Sequence, residues 1–579
     1  MSFDPIKLEL IKNGLEMISD NMMVSVVRTA RSSIVKNNLD FSASICDAEG
    51  NMVAQGLALP SHLGATMPAL RGCLDHFGDD IGPGDILASN DPYSGGSHLN
   101  DIFMFKPVYA EGQRVCILAL ILHHIDLGGR VAGGQAGDSD EIFQEGLRIP
   151  PSKIVEGGKP SRTLLNLIEY NTRVPDLVMG DIRAQIAALN AGEAEVLKFV
   201  ERYRVGELKS YMSELIDYAE RMVRAAIRDL PDGSAEFTEW NDDDGVGGGP
   251  VRIHCKLTVA GDKIIADFSD TDKQKGGALH TNYPFTCSLT YAALRSVLPR
   301  EIPTNAGFYR AVEVIAPEGT WVNPRFPAAL GARGQGGYRV RTVVSGALAG
   351  LLPDRMPACP GGSEFGLSVA GMHPNRKPFV HVEFHNMSGR GGSPTADGED
   401  AGPYWLGNLS NTPIEMIEAE NPLLIEEYGF LPDTGGPGRH RGALGIVRQY
   451  RFLAEEATVQ QRADRHKHAC WGLLGGGSGA PGRSYYVDGE GQRIAAPSKF
   501  VRRMKRHEVF RAEMPGSGGH GDPFKRNPDA ILADILQDKM TPQHARDAYG
   551  VAVDPVTGAL DHAATERLRA AGRTATPTI

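Results

Sequence analysis

Across residues 4–30 apolar side chains recur three and four positions apart, at Ile6, Leu10, Ile11, Leu15, Ile18, Met22 and Val26. That spacing puts them on one stripe of a helix, with Asp4 and Pro5 as cap and first turn, so the pattern predicts an amphipathic helix. The period then falls to two. FSASICD, the turn AEGN and the run MVAQG predict a β-hairpin in which Gly50 takes the left-handed turn position. A second hairpin is predicted from Ile102 through PVY, a turn over Ala110 to Gln113, and a return strand RVCILALIL that stops at His123 and His124. The return strand is apolar on both faces, as expected of a central strand covered on both sides, so polar side chains at its end sit at a buried rim.

Helical periodicity resumes in DIRAQIAALNAGEAEVLKFVERY and VGELKSYMSELIDYAERMVRAAIRDL, with a break near Arg204 to Gly206. Beyond these the chain is strand-rich and punctuated by glycine clusters. We therefore expect an α+β fold with mixed, antiparallel-rich sheets and a helical layer. Four regions are predicted: an N-terminal hairpin region 1–175, a helical layer 176–232, a glycine-rich and strand-rich region 233–522, and short helices with a Thr/Ala-rich tail over 523–579. At 579 residues the chain exceeds one compact core, since domains usually run about 100–200 residues.

Composition narrows the function classes. Hydrophobic residues make up 41% and charged residues 23%, the balance of a folded globular protein. A net charge of -11 leaves no basic surplus for a phosphate backbone, so nucleic acid is not an expected partner. The dense basic run Lys499, Arg502, Arg503, Lys505 and Arg506 reads as a solvated face or a contact with another chain. The seven cysteines are scattered with no C-x-x-C pair, which points to neither a disulfide framework nor a thiolate zinc site. MSFDPIKLEL has no uninterrupted apolar core, and no stretch reaches the roughly 18 apolar residues that span a bilayer. A cytoplasmic protein without a membrane partner is the expectation.

The chemistry concentrates where the second hairpin opens. If that hairpin is symmetric about Glu111 and Gly112, Asp101 lies opposite residue 122 and His98 falls just beyond the strand end near His123. Imidazole and carboxylate donors suit Zn, Mn or Fe, with zinc the first choice, and the lack of thiolate argues against a purely structural zinc. Because side chains alternate across a strand, His123 and His124 cannot easily ligate one ion. We choose His123, although a twist at the strand end would reverse the choice. Asp40, at the start of the first hairpin, is a candidate fourth ligand; an aspartate there also suits a turn or cap. The alternative for the trio is a hydrogen-bonded polar cap on a sheet edge. The glycines of DPYSGGSHLNDI and HHIDLGGR, which permit close backbone approach, favour a ligand cleft.

GARGQGGYR and GLLGGGSGAPG lack the G-K-[ST] of a phosphate loop and the context of a dinucleotide fingerprint, so their glycines read as tight turns. His62, Asp397, Asp400, His440, Asp464, Arg465 and His520 stand beside flexible turns, and their spacing does not bring them to the trio.

The ordered segments NNLDFSASICDAEGNMVAQG, DPYSGGSHLNDI, HHIDLGGR, RGGSPTADGEDAG, LPDTGGPGRHRGALG, CWGLLGGGSGAPG and PGSGGHGDP, spread over nearly the whole chain, resemble the hydantoinase B / 5-oxoprolinase B-type family. The resemblance implies a hydantoinase B-like fold and a metal held by His98, Asp101 and His123 together with Asp40. It also implies an A-type ATPase partner that binds ATP and Mg and phosphorylates the substrate, in an A2B2 heterotetramer. Family members either open a cyclic amide (a lactam, 5-oxoproline or a hydantoin) or, as alpha-type chains of carboxylases, join bicarbonate to a ketone; the length and ending fit the first group. His124 and Asp126, which follow the ligand strand, are the expected proton carriers.

Overall fold

The computed structural model describes residues 3–56, 59–361, 365–384, 389–402 and 409–572. Its opening helix, Pro5–Thr29, starts where the pattern places it, with the Asp4 side chain accepting a bond from the Ile6 amide at 2.9 Å. The first hairpin pairs β1 (Phe41–Asp47) with β2 (Met52–Gln55) through Gly50 at φ +93°. The second pairs β4 (Asp101–Ala110) with β5 (Gln113–His123). With β3 (Ile86–Ser89), β6 (Ser152–Glu156) and β7 (Lys159–Pro160) they form a seven-stranded sheet in the order β2-β1-β5-β4-β3-β6-β7. Its apolar β5 is central, as the pattern required.

One register detail departs from the symmetric expectation and builds the site. Near the turn Tyr109 pairs with Arg114, but the register shifts between Val108 and Tyr109, and beyond it Asp101 pairs with His123, not with residue 122. A one-residue slip exchanges the faces of a strand, so this irregularity puts Asp101 and His123 on the same side of the sheet. Phe103, Phe105, Ile117, Ala119 and Ile121 share that side and pack with residues drawn from 223–356. On the other side Met104, Leu118, Leu120 and Leu122 pack with the helices Pro5–Thr29 and Pro175–Tyr203. The predicted helical break falls at Arg204, whose φ of 62° separates Pro175–Tyr203 from Val205–Arg228.

A second sheet, in the order β11-β10-β9-β8, combines β8 (Gly233–Asn241), β9 (Val251–Ala260), β10 (Lys263–Asp267) and β11 (Val312–Ile315). The segment GARGQGGYR does not form the expected turn cluster but opens the helix Arg333–Leu351. Packing is the reason: a Cβ on Gly336 would stand 2.1 Å from the Leu279 carbonyl oxygen, and one on Gly337 2.4 Å from the Phe285 ring. A third sheet joins β12 (Phe365–Met372), β13 (Pro378–Phe384), β16 (Glu456–Ala463) and β19 (Lys499–Lys505) in the order β13-β12-β16-β19. A fourth sheet is formed by β14 (Leu423–Leu431), β15 (Gly445–Phe452), β17 (Arg483–Val487), β18 (Arg493–Ala496) and β20 (Val509–Glu513). The side chain of Lys499, in the run read as a solvated face or a contact with another chain, is buried and pairs with Asp243 at 3.1 Å. The C-terminal helices Pro528–Leu536, Pro542–Tyr549 and His562–Gly572 follow, and the Thr/Ala-rich end past residue 572 lies outside the described residues. No helix among the described residues is long and apolar enough to cross a membrane.

Candidate metal centre

Backbone pairing at the open end of the second hairpin brings three chain segments together. The His123 amide donates to the Asp40 carbonyl at 3.1 Å, the His124 amide to the Asn100 carbonyl at 2.8 Å, and the Asp101 amide to the His98 carbonyl at 3.1 Å. The loop before β4 is pinned by Asn90, whose side-chain nitrogen reaches the Leu99 and Leu147 carbonyls, and by Arg148, which grips both oxygens of Asp91 at 2.9 Å. Gly95, at φ +98°, sits where a Cβ would meet the Pro68 carbonyl oxygen at 2.3 Å, so the chain can pass there only as glycine.

Donor atoms of His98, Asp101 and His123 lie within 4.8 Å of one another, and all three residues are buried. His98 Nδ1 stands 2.9 Å from Asp101 Oδ2, and the two imidazole rings are 5.0 Å apart between centroids. Asp40 joins from the start of β1 through His62, whose Nε2 is 3.4 Å from Asp40 Oδ1 and 3.8 Å from Asp101 Oδ1. His62, Gln135 and Arg333 are the members that spacing did not assemble. The Gln135 amide nitrogen is 2.6 Å from His123 Nε2 and 3.3 Å from His98 Nε2. Arg333, at the start of its helix, donates to Asp101 Oδ2 and stacks 3.9 Å from the Phe285 ring centroid. Local sequence offered one signal for them: Gln135 and Arg333 both sit in glycine-rich runs that let backbone approach closely.

Electrostatics sets the protonation of this group. Burial lowers the pKa of His98, helped by Arg333, and burial lowers that of His123 well below the usual range. Both rings are therefore neutral and present lone pairs. Burial alone would raise Asp101, but His98, Arg333 and His62 hold it well below the usual carboxylate range. Asp40 behaves oppositely: burial, then the charge of Asp101, pushes it up to about 8. Asp40 Oδ1, Asp101 Oδ1 and His123 Nδ1 are buried without a hydrogen-bond partner. Two neutral imidazoles, the ionised Asp101 carboxylate and the unmatched atoms of Asp40, Asp101 and His123 fit a divalent cation of the zinc, manganese or iron kind.

The two expected proton carriers lie elsewhere. His124 turns to the opposite face of the sheet, buried on the side of Asp181 and Gln185. Asp126 is buried and fully engaged: it accepts from the Gly133 amide at 3.0 Å, the Arg173 amide at 2.7 Å and Arg173 Nη1 at 2.9 Å. Asp397 and Asp400 bind Arg526 and Arg441, and His440 approaches Asp397 at 3.8 Å. Asp464 is held by Arg339 and Lys499, Arg465 by Glu239, and His520 pairs through its backbone with His440.

The model of the hydantoinase B/oxoprolinase family matches residues 4–523. The beta chain of the caprolactamase of Pseudomonas jessenii is 32% identical over 98% of this chain and 99% of its own length. The B component of a putative D-/L-hydantoinase from a Pseudomonas species is 29% identical over 98% of each chain. The crystal structure of the ATP-dependent caprolactamase from Pseudomonas jessenii superimposes with a TM-score of 0.92 at 30% identity, covering 98% of this chain and all of that one.

Proposed function

The chain belongs to the hydantoinase B/oxoprolinase family, and on that premise we propose that it is the metal-carrying B-type subunit of an ATP-dependent cyclic amide hydrolase. It would open a lactam, 5-oxoproline or hydantoin ring that an A-type partner has phosphorylated, in a cytoplasmic A2B2 assembly. ATP and Mg belong to the partner in this reading. The observation that carries it is the buried trio His98, Asp101 and His123, held in ligating protonation states at the rim of a rigid sheet.

A lactam nitrogen leaves poorly because its lone pair is shared with the carbonyl; phosphorylation on oxygen makes the ring carbon electrophilic, and water must then be activated. A divalent ion in this donor set supplies Lewis acidity toward that water. The protein's own residues prepare the place. Asp101 stays ionised because Arg333 and His98 face it, His98 and His123 stay neutral because they are dry, and Asp40 is the proposed fourth ligand. The Gln135 amide holds the two rings at a fixed separation. For proton transfer we favour His62, which stands beside Asp40, over His124 and Asp126, because Asp126 already serves Arg173 and His124 faces away. Replacing each of the three in turn, with metal content measured, separates them.

The test of the reaction is a mass balance on the chain co-expressed with an A-type partner and given ATP, Mg and caprolactam, 5-oxoproline or a hydantoin, with labelled bicarbonate present. Ring-opened amino acid without label, formed only with both chains, is expected. Label fixed into an added ketone would replace this reading by a carboxylase.

A further inference from the structure

Among the buried arginines, Arg333, Arg339, Arg448 and Arg465 are each matched to a carboxylate. Arg462 is not. It is 3% exposed, no carboxylate among the described residues pairs with it, its Nη1 donates to Gln460 Oε1 at 3.0 Å, and its Nη2 has no partner. Burial accordingly draws its pKa down to about 9. A dry guanidinium without a counter-charge opposes folding, and such groups persist where a ligand supplies the missing charge.

The surroundings form a row of donors. Arg462 on β16 pairs with Gly366 on β12, and Gln460 with Ser368 two residues along, so all four share one face of the sheet. Gly366 leaves the space: a Cβ there would lie 2.4 Å from the guanidinium carbon. Ser368 Oγ, Gln460 Nε2 and Arg462 Nη2 are all buried and unpartnered. Ser368 and Gln460 also line a cavity of about 120 Å³ whose other wall is Arg130, Val131, Ala132 and Arg173. At the inner end of the row the Arg462 guanidinium stands 5.2 Å from the Phe384 ring, which meets the His123 ring edge-on at 5.4 Å. Arg462 is also close enough to His98 for its charge to lower that imidazole's pKa.

We propose that Arg462, Gln460 and Ser368 form a seat for an oxyanion beside the metal centre, and that its occupant is the phosphoryl group of the activated substrate. The naming of the phosphoryl group rests on the proposed function; the seat itself does not. Three unpartnered groups able to donate, on Ser368, Gln460 and Arg462, ask for an anion, and a guanidinium takes carboxylate or phosphate equally well in bidentate fashion. Three separate donors match the three terminal oxygens of a phosphoryl group better than the two of a carboxylate.

The experiment is a titration of the metal-loaded chain with inorganic phosphate by calorimetry, on the wild type, Arg462→Gln and Gly366→Ala. The second variant reaches the guanidinium from the neighbouring strand and leaves its charge intact. Both are expected to bind phosphate about tenfold or more weakly while retaining metal content and circular dichroism, and acetate should not displace phosphate from the wild type. Phosphate affinity unchanged in both folded, metal-loaded variants would overturn the seat. Displacement by acetate at equal concentration would overturn the phosphoryl assignment. If phosphate binding depends on Arg462 but the complex opens no ring, the proposed reaction fails and the seat stands.

Discussion

Asp126→Asn decides between a proton carrier and a loop clamp. The carboxylate is wholly buried and holds Arg173 by its amide and its guanidinium, which fixes the turn Asp126–Gly134 leading to Gln135. Breaking a buried pair by removing one partner costs about 3–5 kcal/mol, but the Arg173 side chain is 35% exposed and can rehydrate, so about 2–3 kcal/mol is the expected loss. If the 579-residue chain unfolds as one cooperative unit, that corresponds to a fall in Tm of about 2 °C. Calorimetric unfolding, with steady-state turnover measured well below the transition, reads both effects. Asp126→Asn and Arg173→Gln should destabilise alike, the double variant should cost little more than either single, and kcat should change similarly in all three. An Asp126→Asn protein of wild-type stability with turnover reduced a thousandfold or so, beside an active Arg173→Gln protein, would refute the clamp and make Asp126 a proton carrier.

Glu145 carries a second expectation: its Oε1 accepts the Leu330 amide at 2.7 Å and the Gly331 amide at 2.5 Å, its Oε2 has no partner, and burial pushes its pKa up to about 8. A carboxyl whose folded pKa is raised stabilises fully below its unfolded pKa and loses that contribution as pH climbs through about 8, on the order of 3–5 kcal/mol in all. Glu145→Gln cannot ionise, so denaturant titrations should show its stability falling less than the wild type's between pH 5 and 9; parallel curves would contradict the assignment. Arg333→Gln removes the guanidinium that orients Asp101, and metal affinity measured by competition with a chelator should fall about 10–100-fold, while unchanged affinity would show that Asp101 needs no such support.

What was legible in the sequence follows from distance along the chain. His98, Asp101 and His123 stand at the open end of one hairpin, so period-two alternation and a short turn were enough to place them at the same end of the sheet. The fold class was legible for the same reason, since its helices and hairpins are local patterns. The register irregularity at Val108 and Tyr109 was not, because a local count about the turn has no term for the extra residue, and it alone moved Asp101 onto the face of His123. Arg333 and Arg462 reach the site from other sheets and helices across separations of more than two hundred residues, where alternation says nothing. Glycines 336 and 337 misled in a different way: their role is close packing of a buried helix against Leu279 and Phe285, and composition reads such glycines as turns.

The central claim, that the buried His/Asp cluster carries ATP-dependent ring opening, is tested most directly by stripping the B-type chain with a chelator, removing the chelator, assembling the chain with its A-type partner in ATP and Mg, and following ADP and ring-opened product together. The account predicts that product formation stops, returns on adding one equivalent of a divalent ion per B-type chain, and fails to return in His123→Ala. Ring opening that continues in the metal-free complex, or in a folded His123→Ala complex without metal, would contradict it.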